Sequence, residues 1–411
     1  MSSGAPAGRP EAPRGTARSN LLPALRVAVS GGLFAIGALL VVAELVALTM
    51  SFVVRAYGLW TWVKVGLLTA LLSVRTDLEA TIRGGSFFLI RTGAATSRWR
   101  LVPMLLTIGF LVLAASAGRR AARERTGGSA LAAILLAAVG VAAPAAAIAA
   151  AAATLVTLSF PSLGVTITVD PGSAALWGGL TAAAGAAAGA FVEVQRDAPA
   201  AVFRGGLAAY GWALFLLAAG VAVVATLEPD VTRNYLDALR DLGGGGFVLF
   251  GVHVLAVPSQ SALLMAPASG ACLDLVGQNS GLHLCPWSLA PSGPTAGALL
   301  AGRISLAPWF WSFNAVPAVC AALAGHRAAS GTEGGRSIAL GAAAGVVFAA
   351  LTLAGAWYAG PRVPFLVVPQ VTIGPDLPVM AATMTAWGVV GGALGGWLAR
   401  RSYAEPIPTS V

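Results

Sequence analysis

The sequence predicts an all-α fold: a polytopic bundle of about eight transmembrane helices with two further half-buried, re-entrant or interfacial segments. Three observations carry this prediction. First, the 411 residues are 57% hydrophobic and only 10% charged, with a mean hydropathy of +0.81. A soluble domain carries about 25% charge, so this composition cannot wet a surface in water. Second, the apolar stretches run on for ~20 residues, which suits helices crossing a ~30 Å bilayer core and not the ~10-residue alternating strands of a barrel. Third, the basic residues, 24 Arg and a single Lys, Lys64, mostly flank those stretches. The net charge of +9 is therefore better matched to an anionic membrane surface than to nucleic acid. No nucleic-acid partner is expected, and the lipid bilayer is.

Residues 1–22 are rich in Pro, Gly, Ser, Ala and Arg and read as a disordered basic tail. The first apolar run, about 27–54, is long and has no small-residue cleavage site, so it is expected to stay as the first span. YGLWTWVKVGLLTALLSV (57–74) is apolar but has Lys64 near its middle. The next span, Leu101 to Gly118, is followed at once by Arg119, Arg120, Arg123 and Arg125. Ala-rich spans follow at about 129–157 and 174–193, joined by a connector with a β-like Val165-Thr-Ile167 and an Asp170-Pro-Gly turn.

A fifth span is expected at about 206–227. Val231, Tyr235, Leu236, Leu239 and Leu242 then fall at helical spacing, predicting an interfacial amphipathic helix, and Gly243 to Gly246 read as a hinge. FVLFGVHVLAVPSQSALLMA (247–266) is apolar, and Pro258 is expected to break its helix. The last spans are placed at about 306–325, 337–358 and 380–399.

The chain echoes itself. Leu101-Val-Pro and AGRRAA (117–122) return as Leu306-Ala-Pro and AGHRAA (324–329), and Val165-Thr-Ile167 returns as Val371-Thr-Ile373. Trp177 and Trp387 follow in register, each ahead of a glycine ladder: Gly185 and Gly189 in one, Gly388, Gly392 and Gly396 in the other. An internal two-fold repeat is expected, 23–200 and 201–401, with 402–411 as a short C-terminal tail. The ladders allow close backbone approach, between the halves or with a second copy.

If neither 57–74 nor 247–266 crosses, eight spans leave both termini cytoplasmic and divide the basic residues 14 inside to 11 outside. Ten spans would put the Arg119–Arg125 cluster outside in a very short loop and Lys64 near the bilayer centre. The cluster decides for eight, and for repeats that run parallel.

Candidate pathway-lining residues are those whose polarity is costly in a membrane. Glu44 and Lys64 are one pair; the bland alternative is that they snorkel to the headgroups or pair for stability. His253, Ser259, Gln260 and Ser261 lie around Pro258. A broken helix at matching places in two halves points to a transporter site, and a kinked helix with satisfied hydroxyls is the alternative. Cys272 and Cys285 are expected to form a disulfide on the outer side. A metal held with His283 and Asp274 has no standard spacing, so no metal site is expected. Cys320 reads as core packing, Asp170 and Asp376 as turn formers, and Glu193 as a boundary charge.

GxxxxGK[ST], HExxH, CxxC and GxSxG are all absent from the sequence, so no cofactor is expected and an enzyme ranks last. With its Ala/Gly-rich spans and AGRRAARER (117–125), the chain resembles uncharacterised multi-spanning membrane proteins of actinobacteria, some of them labelled cell-division or permease-like. The resemblance implies a plasma-membrane protein and transfers no functional residue. Two functions follow as expectations: a permease with its pathway between the halves, or a non-transporting envelope or division scaffold that binds a second copy or an envelope protein.

Overall fold

The computed structural model describes residues 21–53, 58–82, 95–125, 129–160, 165–195, 197–227, 229–241, 244–276, 281–286, 303–305, 308–332, 335–365 and 368–404. The two tails lie almost wholly outside these residues, and Gly243 of the expected hinge does too.

The first half begins with α1 (Leu21–Val53) and α2 (Leu59–Ser73). A hairpin of β1 (Leu78–Ile82) and β2 (Ala95–Trp99) leads to α3 (Met104–Glu124) and α4 (Ala130–Leu155). A second hairpin, β3 (Thr157–Phe160) and β4 (Val165–Val169), leads to α5 (Pro171–Val194). The second half has α6 (Ala198–Leu227), the amphipathic α7 (Pro229–Asp241) and α8 (Gly244–Ser269). Strands β5 (Leu273–Val276), β6 (Gly281–Cys285) and β7 (Arg303–Ser305) precede a 3-10 segment, Pro308–Asn314. Then come α9 (Ala315–Ala329), α10 (Arg336–Ala359), the hairpin β8 (Arg362–Phe365) and β9 (Val368–Pro375), and α11 (Leu377–Ala404).

The packing scheme is the same in both halves. Helix α1 packs on α3 and α4, and α5 on the same two; α6 packs on α9 and α10, and α11 on those two. The sheets match as well, in the orders β2-β1-β4-β3 and β7-β6-β5-β9-β8. Both sheets lie at one end of the bundle, the sheet end. The opposite end gathers Arg119–Arg125, Arg204, Arg327, Arg336 and Arg400–Arg401, and is called the arginine end.

Alanine and glycine set how closely the helices approach. The position of a Cβ on Gly345 falls on the backbone carbonyl of Gly388, and one on Gly189 falls on that of Ala115. Without a hydrophobic force between helices in lipid, such close approach supplies the van der Waals contact that holds the bundle. The ladders differ from expectation in one respect. Gly185 and Gly189 face α3, Gly388, Gly392 and Gly396 face α10, and all five act inside their own half. They pair neither the halves nor a second copy, because their small faces turn towards the neighbours that the short connectors bring alongside.

Among the described residues, eight helices are long and apolar enough to cross a membrane: α1, α3, α4, α5, α6, α8, α10 and α11. The protein is a polytopic integral membrane protein. Contacts show where one of these, α8, packs. It meets Met50 near the sheet end of α1 through Gly251, and Ser259 donates to the Val102 carbonyl just before α3. Its last residue, Ser269, meets Thr383 and Trp387 of the first half of α11. Helix α9 has only 15 residues but runs to the arginine end, extended at its start by the 3-10 segment. Pro317 lies in the first turn of α9, where its missing N–H costs no helical hydrogen bond.

Two expectations about 243–266 are corrected. Pro258 does not break the helix: α8 continues from Gly244 to Ser269 with Pro258 and Pro267 inside it. Each proline removes one helical hydrogen bond, and packing against α6, α10 and α3 holds the remainder. Gly244 to Gly246 are the first turn of α8, so among the described residues they form no hinge.

Candidate functional site

One polar residue that draws partners from both halves was passed over by sequence reasoning, Arg75. It stands just past α2, where the helix closes with Arg75 N–H donating to Leu72 O at 2.9 Å and Thr76 N–H to Leu71 O at 3.3 Å. That closure places the residue after the C-cap in the left-handed region, and Arg75 has φ +65°. Glycine normally takes this position, and any other L-residue pays about 1 kcal/mol or more there. The end of α8 has the same turn. Gly270 (φ +98°) donates to Pro267 O and Ala271 to Ala266 O. Arg75 thus sits where its counterpart is glycine.

Its side chain explains why. Arg75 is 4% exposed. The guanidinium carbon lies 3.6 Å from the ring centre of Trp357, 4.5 Å from Trp177 and 5.6 Å from Tyr358, and Nη2 donates to the Trp357 carbonyl at 3.2 Å. Trp177 comes from α5 in the first half; Trp357 and Tyr358 come from the last turn of α10 in the second. A guanidinium stays charged at any accessible pH, and aromatic faces are the surroundings that accept it with least loss of hydration. The two tryptophan rings lie 5.8 Å apart.

Hydrogen bonds close the rest of the seam. The Ser73 carbonyl, left open by the end of α2, accepts from Thr107 Oγ1 at 2.5 Å and from Tyr358 OH at 3.3 Å. Tyr358 OH also lies 3.1 Å from Thr181 Oγ1. Arg100 makes a two-pronged pair with Asp77, at 2.5 and 2.8 Å, behind the cage. Thr76 Oγ1 is buried with no partner among the described residues.

The residues singled out in the sequence scatter around this centre. Ser259 is at the seam, its Oγ donating to Val102 O at 2.5 Å across the halves. Ser261 is buried and bonds back to Val257 O, His253 is half-buried, and Gln260 is exposed. Glu44 faces α2: its carboxylate lies where a Cβ on Gly66 would be, it accepts from the Leu67 backbone, and Oε1 has no described partner. Lys64 does not pair with it. Its ammonium donates to Thr157 O at 2.8 Å, beyond the end of α4. Cys272 and Cys285 are disulfide-bonded and flank the β5–β6 hairpin, inside which Asp274 and His283 face each other at 2.6 Å.

Asp170 and Asp376 cap the starts of α5 and α11, accepting from Ser173 and Val379 N–H. Glu193 is more than a boundary charge, because it lies 3.0 Å from Arg123 and 3.7 Å from Arg119. Among the described residues, no group of three or more His, Cys, Asp or Glu is placed to hold a metal ion. Compared with protein-family models, with curated proteins and with solved structures, the chain matches none.

Proposed function

We propose that this membrane protein is permease-like, built of two parallel repeats, with a pathway along the seam between 23–200 and 201–401 that Arg75 closes at the sheet end. The observation that carries the reading is the burial of a charged side chain at the meeting of the halves, on a backbone conformation that costs energy to hold. Ionisable groups inside membrane proteins mark solute paths by default, and backbone strain collects at functional sites. The shared packing and sheet order support the repeat. Helices α2 and α8 are the matching half-buried elements that transporters of repeated build place at their pathway. The arginine end is cytoplasmic by the positive-inside rule, which puts both termini inside and the Cys272–Cys285 disulfide on the oxidising face of the plasma membrane.

A fixed guanidinium in the seam repels cations, so the solute class favoured is an anion or a neutral molecule with an acceptor group. Thr76, with a buried hydroxyl lacking a described partner just past α2, would donate to such a solute or to water.

The filled seam gives one specific observation for the second reading, a non-transporting envelope scaffold or division partner. Single cysteines through α2 and α8, probed with a membrane-impermeant thiol reagent, separate the two. A permease shows labelling along one face of these helices that rises in Arg75→Ala. A scaffold shows none in either background and co-purifies with a stable envelope partner.

A further inference from the structure

At the arginine end, on the side where α6 follows α5, lies a groove of about 380 Å³ lined by Arg119, Arg123, Val192, Glu193 and Arg204. Three guanidiniums surround one carboxylate, leaving an excess of two positive charges. Glu193 is 10% exposed, whereas Arg119 and Arg123 are 49% and 59% exposed. The buried carboxylate therefore anchors two half-exposed arginines whose outer faces remain towards the groove. Arg204 is held from the other half by Nε donating to Ala200 O at 3.2 Å.

A second groove, of about 430 Å³ and apolar, lies on α6 and is lined by Ala208, Gly211, Trp212 and Phe215. Arg204 and these four fall at i, i+4, i+7, i+8 and i+11, one continuous stripe of the helix. The rise from Arg204 to Phe215 is about 16 Å at ~1.5 Å per residue, close to half the ~30 Å hydrocarbon core. Gly211 has nothing within 4 Å of where a Cβ would be, so it notches the stripe, and Trp212 and Phe215 wall it with rings 5.8 Å apart.

We infer that these two grooves form one binding site for an anionic phospholipid of the arginine-end leaflet, its phosphate on Arg119, Arg123 and Arg204 and one acyl chain along α6. Basic groups at the interface attract anionic headgroups at about 1 kcal/mol each, and the adjoining stripe has the depth of a single leaflet. The lipid bridges the halves at the end opposite the Arg75 cage, since Arg119 and Arg123 belong to the first half and Arg204 to the second. This site stands whether or not the protein is permease-like.

The test is native mass spectrometry of the full chain in neutral detergent, titrated with phosphatidylglycerol or phosphatidylcholine. The site predicts one phosphatidylglycerol held roughly tenfold or more tighter than phosphatidylcholine. Arg119→Gln with Arg204→Gln removes that preference, and Trp212→Ala with Phe215→Ala weakens phosphatidylglycerol several-fold, all with unchanged helicity. Equal retention of both lipids by the wild type, or undiminished phosphatidylglycerol binding in the arginine variant, overturns the proposal. So does displacement by millimolar inorganic phosphate with no effect of the aromatic variant, which would make the groove a site for a free anion.

Discussion

Helices α2 and α8 finish in the same hydrogen-bonded turn at the same end of the bundle, with Arg75 at the left-handed position of one and Gly270 at that of the other. What covers each helix end differs too. Over α8, Trp387 Nε1 donates to the last carbonyl, Ser269 O, at 3.2 Å, and Thr383 meets the Ser269 hydroxyl, both from the same half. Over α2, the last carbonyl is shared between Thr107 of its own half and Tyr358 of the other. The second half closes its helix end with its own residues; the first closes by reaching across the seam. One cap is architecture, and the other is architecture put to use as a latch between halves.

That contrast can be broken most severely at Arg75. Arg75→Ala removes the buried cation–π contacts while leaving an L-residue at positive φ, for a loss of about 2–3 kcal/mol, read from unfolding of the purified protein in detergent. Arg75→Lys recovers only part of this, since an ammonium cannot stack flat on Trp357. Trp357→Ala follows. Trp357 is 46% exposed, so its loss leaves no closed cavity, and taking away the nearest face of the arginine cage is expected to cost about 1–2 kcal/mol.

Smaller effects sharpen the comparison. Gly270→Ala should cost about 1 kcal/mol from backbone strain alone, and leave the seam untouched in the thiol-labelling assay. Arg75→Gly should be about 1 kcal/mol less damaging than Arg75→Ala in the same unfolding experiment, because it loses the cage but relieves the strain. If the two variants unfold alike, the left-handed strain at residue 75 is not part of the account.

The architecture was largely legible in the sequence, and the latch was not. Continuous apolar runs located the long helices, and the Val165-Thr-Ile167 and Val371-Thr-Ile373 echo fell on strands β4 and β9. The disulfide followed from its two cysteines in one connector. Pro258 misled because one lost hydrogen bond does not end a helix that is packed on several neighbours.

The glycine ladders misled for a different reason: small faces permit close approach but carry no address, so their partners are fixed only by topology. Arg75 was hidden by its place at the edge of a polar stretch, where an arginine ordinarily snorkels to water. Its signal lay in a comparison of helix ends, SVRT (73–76) against ASGA (268–271), where glycine in one half faces arginine in the other. Trp357 and Tyr358 could not be linked to it, because they lie some 280 residues away in the chain and nothing local to them indicates a cation partner.

The central claim, that Arg75 holds the halves together at the sheet end, is tested most directly by a distance measurement between them. Spin labels at Arg98 of β2 and Val276 of β5, in a chain whose free Cys320 is replaced by Ala, report one sheet against the other by pulsed dipolar spectroscopy. The account predicts a single narrow distance with Arg75 intact and a second, longer population in Arg75→Ala. Identical distributions in the two would contradict it.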